Sequence, residues 1–498
     1  MRRRAVRWLA LAGAAAALVA IAAAAAHARP GGGHTYSGGS SGGGGGGGSG
    51  GGSALFELLF ILIFQHPQIG LPLTAIIIFL YVMVQRSKKD LPNWDSAEPV
   101  TRTPPPDLER IRALDPDFSI VLFEDFVFRL YAQAQRARIA PQEMAKLAPY
   151  VSEQTRTALL DRQPQGRLIS NVVIGALQIE SVDVPSDPAD EQGQPNYVSV
   201  NIGFESNYTA DMGGSFETYY ARDSWQLVRA ATTRSRPPSA TREFNCPNCG
   251  APFESSDDQT CAYCGEIVAN GRFDWLVNGA RLRGQDKVPP VITGTVAERG
   301  TDLPTIVHPG VDRRWRELLQ DDPALTQESL RARLTLIYDQ LNTAWTNLDL
   351  SAARPYVSDG LYDYLTYWID AYRTQGLRNV LEGMRLYHWT YARIVRDRWF
   401  DSLTVRIWGS GRDYTVDAGS GRVVGGHKGR DRDYTEYWTI IRAAGARGAA
   451  RSDKQCPNCG AELKINMAGT CEYCHTHVTA GEFDWVLSKI EQDEAYRG

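Results

Sequence analysis

The stretch FSIVLFEDFVFRLY at residues 118–131 decides the fold. Its apolar residues recur every three or four positions, which is the period of an α-helix with one apolar face. A face this broad predicts a helix that packs into a core. The residues that form it are Phe118, Leu122, Phe126 and Leu130, beside Phe123, Val127 and Tyr131.

Two residues upstream predict where this helix begins. Asp115 is of the type that caps helices, and Pro116 suits the first helical position. A second helix of the same period is predicted further along the chain. Its apolar residues are Leu330, Leu334, Ile337, Leu341 and Trp345.

After each helical region the apolar period changes to two, which predicts β-strands. Further strands are expected at 216–228 and 434–441, with turns at Gly213-Gly214 and within 418–429. Helices followed by an antiparallel sheet predict an α+β fold in the shape of a cone. The alternating apolar residues are Val198, Val200, Ile202 and Phe204, then Leu403, Val405 and Ile407.

The α+β pattern occurs twice because the chain contains an internal repeat. The motif Pro-Tyr-Val-Ser at 149–152 returns at 355–358, and Phe-Asp-Trp at 273–275 returns at 483–485. Trp225 and Arg229 likewise correspond to Trp438 and Arg442. Because the similarity extends beyond one motif, a whole domain has been duplicated.

All eight cysteines belong to the repeat, in two clusters that begin Cys-Pro-x-Cys-Gly and end Cys-x-Tyr-Cys, with eleven residues between the second and third cysteines. Gly250 and Gly460 permit the positive φ that a metal-binding knuckle needs. Four thiolates leave no open position, so each cluster predicts one structural zinc ion in a zinc ribbon. The predicted ligands are Cys246, Cys249, Cys261 and Cys264, and Cys456, Cys459, Cys471 and Cys474.

Other interpretations of the cysteines are weaker. A redox pair is typically a single Cys-x-x-Cys motif at a helix start, and iron–sulfur ligation is a further alternative. His475 and His477 adjoin the second cluster, but the first cluster has Gly265 and Ile267 there, so we interpret the histidines as bystanders. The Phe-Asp-Trp motifs are expected to start a helix or strand that packs each ribbon onto its cone.

The first 106 residues predict a membrane anchor. Residues 1–28 begin with Arg2, Arg3 and Arg4, continue as an apolar run and end in Ala26-His27-Ala28, the pattern of a secretory signal peptide. Residues 29–53 form a Gly/Ser-rich linker, and the apolar stretch 54–85 is long enough for a transmembrane segment. A Pro-containing linker, 86–106, follows.

The orientation follows from charge and cysteine chemistry. Arg86, Lys88 and Lys89 place the C-terminal side of the span in the cytoplasm by the positive-inside rule. Zinc-binding thiolates also need a reducing compartment. We therefore expect the Gly/Ser segment outside and the large C-terminal part inside, whether the signal is cleaved or retained.

Composition and motifs argue against several functions. A formal net charge of −4 gives no support for nucleic-acid binding. The sequence contains no phosphate-binding Gly-rich loop, HExxH or Gly-x-Ser-x-Gly motif and no Cys/His dyad outside the clusters. Nothing marks Glu124, Asp125 or Asp223 as a general base. We therefore predict no enzymatic activity, no catalytic residue and no organic cofactor.

The first copy resembles the TIM-subunit-44-like domain family. The resemblance lies in residues 118–131, 149–152 and 216–228; it covers about 107–230 well and 320–443 only weakly. It implies two NTF2-like cones, a role at a membrane surface and no catalysis. Bacterial members similarly carry a signal, a Gly/Ser-rich stretch and a span, which implies a bacterial inner (cytoplasmic) membrane.

The predicted domains are cone 1 (107–240), zinc ribbon 1 (241–285), a linker (286–320), cone 2 (321–445) and zinc ribbon 2 (446–498). The leading hypothesis is a membrane-anchored scaffold that binds a protein partner or lipid at the cytoplasmic face. An NTF2-like enzyme is one alternative, and a buried His/Asp or Tyr/Asp pair would favour it. A nucleic-acid-binding regulator is another, but acidic residues near the first ribbon disfavour it.

Overall fold

A computed structural model describes residues 100–101, 106–240, 243–254, 259–287, 301, 303–466, 468–493 and 495–498. The predicted signal peptide, Gly/Ser linker, transmembrane segment and most of the linker 86–106 lie outside these residues. Within the described residues, no helix is both long and apolar enough to cross a membrane.

The N-terminal repeat, residues 106–287, has helices followed by an antiparallel sheet, as predicted. Its sheet has the order β2-β3-β4-β5, and helix α1 packs against β2. A 3₁₀ turn, Leu108–Ala113, precedes the helices. The elements are α1 (Ile120–Ala137), α2 (Pro141–Ala145), α3 (Glu153–Leu160), β2 (Leu168–Asp183), β3 (Tyr197–Asp211), β4 (Phe216–Ala230) and β5 (Leu276–Lys287).

The C-terminal repeat, residues 303–498, has the same plan. Its sheet has the order β11-β10-β8-β7, and β9 pairs with β8. A short strand β1 (Val100–Thr101) pairs in parallel with β6 (Ile306–Val307). The other elements are α4 (Val311–Asp321), α5 (Gln327–Thr346), α6 (Asp359–Thr374), β7 (Leu377–Arg396), β8 (Phe400–Asp417), β9 (Val423–Gly426), β10 (Arg432–Ala443) and β11 (Val486–Gln492).

The predicted start of the first helix is wrong. Helix α1 begins at Ile120, and Ser119 is its N-cap, accepting a hydrogen bond from the Leu122 backbone N–H at 3.3 Å. Asp115 is instead buried and accepts a hydrogen bond from Arg229 Nη2 at 2.7 Å. The local sequence offers two capping residues, and the distant arginine on β4 decides between them.

The Pro-Tyr-Val-Ser motif links helix and sheet in both repeats. Val151 forms a parallel bridge with Val277, and Val357 forms one with Leu487. The serine that follows caps a helix, Ser152 for α3 and Ser358 for α6. The motif therefore recurs because it turns the chain from the edge of the sheet into a helix.

The zinc ribbons were predicted to follow completed cones, and this is wrong. Strand β5 pairs with β4, and β11 pairs with β10, so each sheet is completed by a strand that comes after the cysteines. Each cysteine cluster is therefore an insertion between two neighbouring strands. Sequence reasoning missed this because strand pairing across an insertion is a long-range contact.

The predicted linker 286–320 also contains regular structure. It carries β6 and α4, and Trp315 of α4 stacks on Tyr391 of β7 with ring centroids 5.4 Å apart.

Strand β8 is buried along almost its whole length on both faces. The C-terminal segment contributes to this burial, because Asp493 pairs with Arg406 of β8 at 2.8 Å and Tyr496 stacks on Tyr437 of the neighbouring β10 at 3.8 Å.

Polar and apolar contacts join the two repeats. Glu109 forms a bidentate ion pair with Arg314, at 2.8 and 2.6 Å, and Asp117 pairs with Arg398 at 2.7 Å. Leu122, predicted to lie in the core of the first repeat, packs instead against an apolar cluster that belongs to the second. That cluster comprises Phe400, Ile441 and Val486, with Trp399 beside it.

Candidate metal centres and buried polar network

The structure brings together the four cysteines of each predicted metal site. In both clusters the four sulfur atoms lie within 4.8 Å of one another. Cys246 and Cys264 have their Sγ atoms 3.9 Å apart, and Cys456 and Cys474 have theirs 3.8 Å apart. All eight thiols are free rather than joined as disulfides.

Each cysteine pair sits in a tight turn. The backbone N–H of Gly250 donates to the Cys246 carbonyl at 2.9 Å, and Gly250 has φ +78°. Gly265 and Gly460 repeat this conformation, at +73° and +75°. His475 occupies the fourth such position with φ +58°, a conformation that favours glycine.

The geometry suits a tetrahedral ion bound by four sulfurs. Metal–sulfur bonds of about 2.3 Å in a tetrahedron put the sulfurs about 3.8 Å apart, which agrees with the separations above. Either cluster could therefore hold a metal ion. With four protein ligands, such a site offers no open position for a substrate.

Hydrogen bonds adjust the acidity of individual thiols. The Asn248 side chain donates to Cys264 and lowers the pKa of that thiol to about 7. Hydrogen bonds from Thr476 and Asn458 lower the pKa of Cys474 to about 5. Burial has the opposite effect on Cys246, whose pKa it raises to about 12. A bound cation would offset that cost of burial, because thiolate is the ligand form.

The group of possible metal ligands in the second cluster contains the four cysteines and neither His475 nor His477. His477 Nε2 lies 3.3 Å from Asp359 at the start of α6, and Thr479 Oγ1 donates to the same carboxylate at 2.8 Å. These contacts attach the second insertion to the helices of its repeat.

The Phe-Asp-Trp motifs also fasten the insertions. Trp275 and Trp485 are buried just before β5 and β11, so the predicted packing segment is a strand. The Arg229 guanidinium lies 4.7 Å from the Trp275 ring, and that of Arg442 lies 4.7 Å from the Trp485 ring. Each arginine also pairs with an aspartate, Asp115 at 2.7 Å and Asp322 at 2.9 Å.

A separate polar network lies inside the N-terminal repeat. The Tyr131 hydroxyl donates to Asp223 Oδ2 at 2.5 Å and lies 2.7 Å from Ser206 Oγ. Arg162 binds Asp223 through two nitrogens, at 2.8 and 3.1 Å. Burial and the neighbouring carboxylate raise the pKa of Tyr131 well above its ordinary value. Tyr131 therefore serves as a hydrogen-bond donor, and Asp223 is neutralised by a guanidinium.

Two further polar residues continue the buried face of α1. Gln135 and Arg138 follow Tyr131 by four and seven positions, and both are fully buried. Sequence reasoning placed Tyr131 in the core and singled out none of Gln135, Arg138 and Arg162. The sequence signal that could have revealed Gln135 and Arg138 is their position four and seven residues after Tyr131, which continues the apolar stripe of the helix.

The described part of the chain is thus a duplicated α+β protein with one four-cysteine cluster inserted in each sheet. Residues 311–450, within the C-terminal repeat, match the family model described as Tim44-like domain. The match runs from α4 through β10 and ends before Cys456.

The family match falls on the copy in which sequence reasoning saw the weaker resemblance. In the C-terminal repeat the stripe from Leu330 to Trp345 is buried, as predicted. No protein with curated annotation matches the chain.

Proposed function

We propose that this protein is a membrane-anchored, non-catalytic scaffold whose two repeats bind a partner at the cytoplasmic face of a bacterial inner membrane. The observation that carries the proposal is the Tim44-like domain at residues 311–450, because this family is generally non-catalytic and suggests a binding role. The partner is a protein or a lipid, and the net negative charge disfavours nucleic acid.

The proposal includes an NTF2-like cone in each repeat. Both halves pack helices against an antiparallel sheet, of four strands in the first and five in the second, which supports this. The ion pairs between Glu109 and Arg314 and between Asp117 and Arg398 tie the repeats together. A scaffold benefits from such contacts, because a pre-organised surface loses less entropy on binding.

The proposal also assigns one structural zinc ion to each cluster. The chemistry of the donors supports zinc, since four thiolates with sulfurs about 3.8 Å apart suit its tetrahedral preference. When bound, zinc would supply folding energy to an insertion too small to hold itself by apolar burial. The cysteines would then fix the ends of each insertion against β5 or β11.

A site-specific cross-linking experiment tests the scaffold role. A photoreactive amino acid is placed in the full chain at Phe216, Tyr263 or Tyr473, whose side chains are 75%, 58% and 54% exposed. Phe204, which is 1% exposed, serves as the matched control position. We expect one protein or lipid to be captured in membranes at an exposed position and not at Phe204. Equal, non-selective capture at all four positions would contradict a scaffold.

The orientation has its own test. Alkaline-phosphatase fusions at Gly48 and Gly498 report which side of the membrane each point occupies. We expect activity at Gly48 only, because alkaline phosphatase folds outside the cytoplasm. Activity at Gly498 would place the repeats outside and remove the reducing environment that free thiolates require.

An NTF2-like enzyme remains the second candidate, because the structure contains the type of pair that favours it. Tyr131 and Asp223 form a buried Tyr/Asp pair, and Arg162 of the same network lines a cleft of about 320 Å³. The bidentate Arg162 pair argues for a structural role, since it occupies both carboxylate oxygens of Asp223.

The Tyr131→Phe variant separates the two functions. It removes only the hydroxyl group. A scaffold would keep its cross-linked partner and its biological activity once folded. An enzyme that needs the phenol would keep its fold and cross-linking but lose activity in a strain that carries only the variant.

A further inference from the structure

Arg138 stands at the end of α1 with its guanidinium inside the N-terminal repeat. Its Nη1 donates to the carbonyls of Arg162 and Gln163, at 3.1 and 3.4 Å. Its Nε and Nη2 are buried and make no hydrogen bond of standard geometry among the described residues. These two nitrogens form one edge of the guanidinium, the edge that can bind a carboxylate or phosphate through two parallel hydrogen bonds.

Other buried arginines show what Arg138 lacks. Four arginines are among the largest fully buried side chains, Arg138, Arg229, Arg406 and Arg442. The last three pair with a carboxylate. The distances are 2.7 Å for Arg229, 2.8 Å for Arg406 and 2.9 Å for Arg442. Arg138 has no carboxylate partner in the described part of the chain. An uncompensated buried charge is costly, so an anion at this edge would be stabilising.

Gln135 is a further buried donor about one helical turn before Arg138. It lies three positions before Arg138, on the same face of α1. Its side chain is fully buried, and neither its amide nitrogen nor its amide oxygen has a partner among the described residues. The Tyr208 ring lies 4.9 Å from the Arg138 guanidinium, and the Tyr208 side chain interacts electrostatically with it. Burial raises the pKa of Tyr208, so its phenol is neutral and supplies no counter-ion.

A cleft lies beside the Arg162-Gln163 backbone to which Arg138 donates. It has a volume of about 320 Å³ and lies between α3 and β5. Arg162 and Gln163 line it, and their carbonyls are the acceptors for Arg138. Gln285 also lines it and bonds to the Tyr208 hydroxyl at 2.7 Å. This volume is at the lower end of the range for small-molecule sites.

Among the described residues in and beside the cleft, Arg138 is the arginine without a carboxylate partner. Arg162 is neutralised by Asp223. Asp161 also lines the cleft but is exposed, so its charge is screened by solvent.

We propose that the N-terminal repeat binds a small anion, through a carboxylate or phosphate group, on the Nε–Nη2 edge of Arg138, with the Gln135 amide as a further donor. The ligand enters through the cleft between α3 and β5. This site is independent of the metal centres and goes beyond the scaffold role.

The C-terminal repeat provides an internal comparison. Asp115 and Tyr131 correspond to Asp322 and Tyr338, each 207 positions later, and the same offset carries Arg138 onto Trp345. Trp345 is buried, and its indole N–H donates to Asn379 at 3.0 Å. The second repeat therefore fills the equivalent position with a satisfied neutral side chain, and the anion site belongs to the first repeat alone.

Phosphate binding to the purified full chain in neutral detergent tests the proposal. Equilibrium dialysis with radiolabelled orthophosphate, at constant ionic strength, is carried out on the wild type, Arg138→Gln and the control Arg281→Gln. Arg281 is an exposed arginine on β5, so its variant loses the same charge outside the site. We expect one saturable site in the wild type and in Arg281→Gln. Loss of the bidentate pair should weaken binding by roughly tenfold to a hundredfold in Arg138→Gln.

A second variant covers the case in which Arg138→Gln does not fold. Gln135→Leu keeps the guanidinium and should weaken phosphate binding by roughly fivefold, the effect of one neutral hydrogen bond. The absence of a saturable site in the wild type would overturn the proposal, and so would unchanged affinity in either variant.

Competition identifies the source of the anionic group. Acetate, glycerol phosphate and short-chain phosphatidic acid are each tested for displacement of the bound phosphate. Tighter binding of phosphatidic acid than of glycerol phosphate would assign a lipid headgroup. Equal or tighter binding of the soluble anions would assign a soluble metabolite, and failure of all three to displace phosphate would overturn a site open to organic anions.

Discussion

Replacing Asp115 by Asn tests the buried ion pair that takes the place of the expected helix cap. The carboxylate is 1% exposed and accepts three hydrogen bonds at Oδ2, from Arg229 Nη2 at 2.7 Å, Ser235 Oγ at 2.7 Å and the Ser235 backbone N–H at 3.0 Å. Asparagine has nearly the same shape but no charge. The variant therefore leaves Arg229 buried without its counter-ion, against the Trp275 ring.

The expected loss of stability is large for a change of one atom. Breaking a buried ion pair by removing one partner costs about 3–5 kcal/mol, because the other charge stays desolvated. The matched control is Asp125→Asn on the same repeat. Its partner Arg129 is 2.9 Å away, but the two side chains are 50% and 32% exposed. An exposed pair of this kind contributes below about 0.5 kcal/mol.

Urea unfolding of the full chain, followed by tryptophan fluorescence, measures both variants. We expect Asp115→Asn to lower the midpoint of the transition strongly and Asp125→Asn to leave it almost unchanged. Arg229→Met combined with Asp115→Asn should be less destabilised than the sum of the single variants, since it removes the orphaned charge. Equal midpoints for Asp115→Asn and Asp125→Asn would refute the reasoning.

Three further predictions follow from the site and the contact between the repeats. Cys261→Ser should lower the zinc content from two ions per chain to one, measured by metal analysis; retention of two ions would contradict the assigned cluster. Gly250→Ala places a side chain at φ +78° and should weaken metal binding at the first site by about 1–2 kcal/mol. Competition with a chelator measures this affinity, and an unchanged affinity would exclude backbone strain at Gly250. Burial acts to raise the pKa of Glu109, but the hydrogen bond and charge of Arg314 outweigh it, so the pKa lies below its ordinary value. The stabilisation from this carboxylate is complete above the unfolded pKa of about 4.3 and is lost as the pH falls through the folded value. Glu109→Gln should remove this loss when the free energy of unfolding is measured as a function of pH. An unchanged loss of stability at acid pH in the variant would contradict the prediction.

Much of the fold was predictable from local patterns. The period of the stripe from Leu330 to Trp345 specifies a helix by itself, because neighbouring turns share one face. The alternation from Val198 to Phe204 specifies a strand in the same way. The spacing of the cysteines, repeated twice, specified which thiols would come together, since two knuckles need only a short connecting loop.

The parts that could not be predicted depend on contacts between distant residues. Leu122 lies on the apolar stripe of α1 but packs against the second repeat. Both Ser119 and Asp115 are residue types that cap helices, but Asp115 forms an ion pair with Arg229 on β4 instead. The polar residues Gln135 and Arg138 carry no motif, so their burial becomes visible only when the sheet covers the helix.

The sequence by itself determined the α+β class, the duplication and the two cysteine clusters, because each depends on residue type at short spacing or on similarity between two segments. Only the tertiary structure decided that each cluster is inserted before the last strand of its sheet, since the pairing of β4 with β5 and of β10 with β11 joins segments separated by the whole insertion. It also decided that Arg138 is buried without a carboxylate partner in the described chain. Charge compensation in a core depends on which side chains converge there, and convergence is a property of the folded chain.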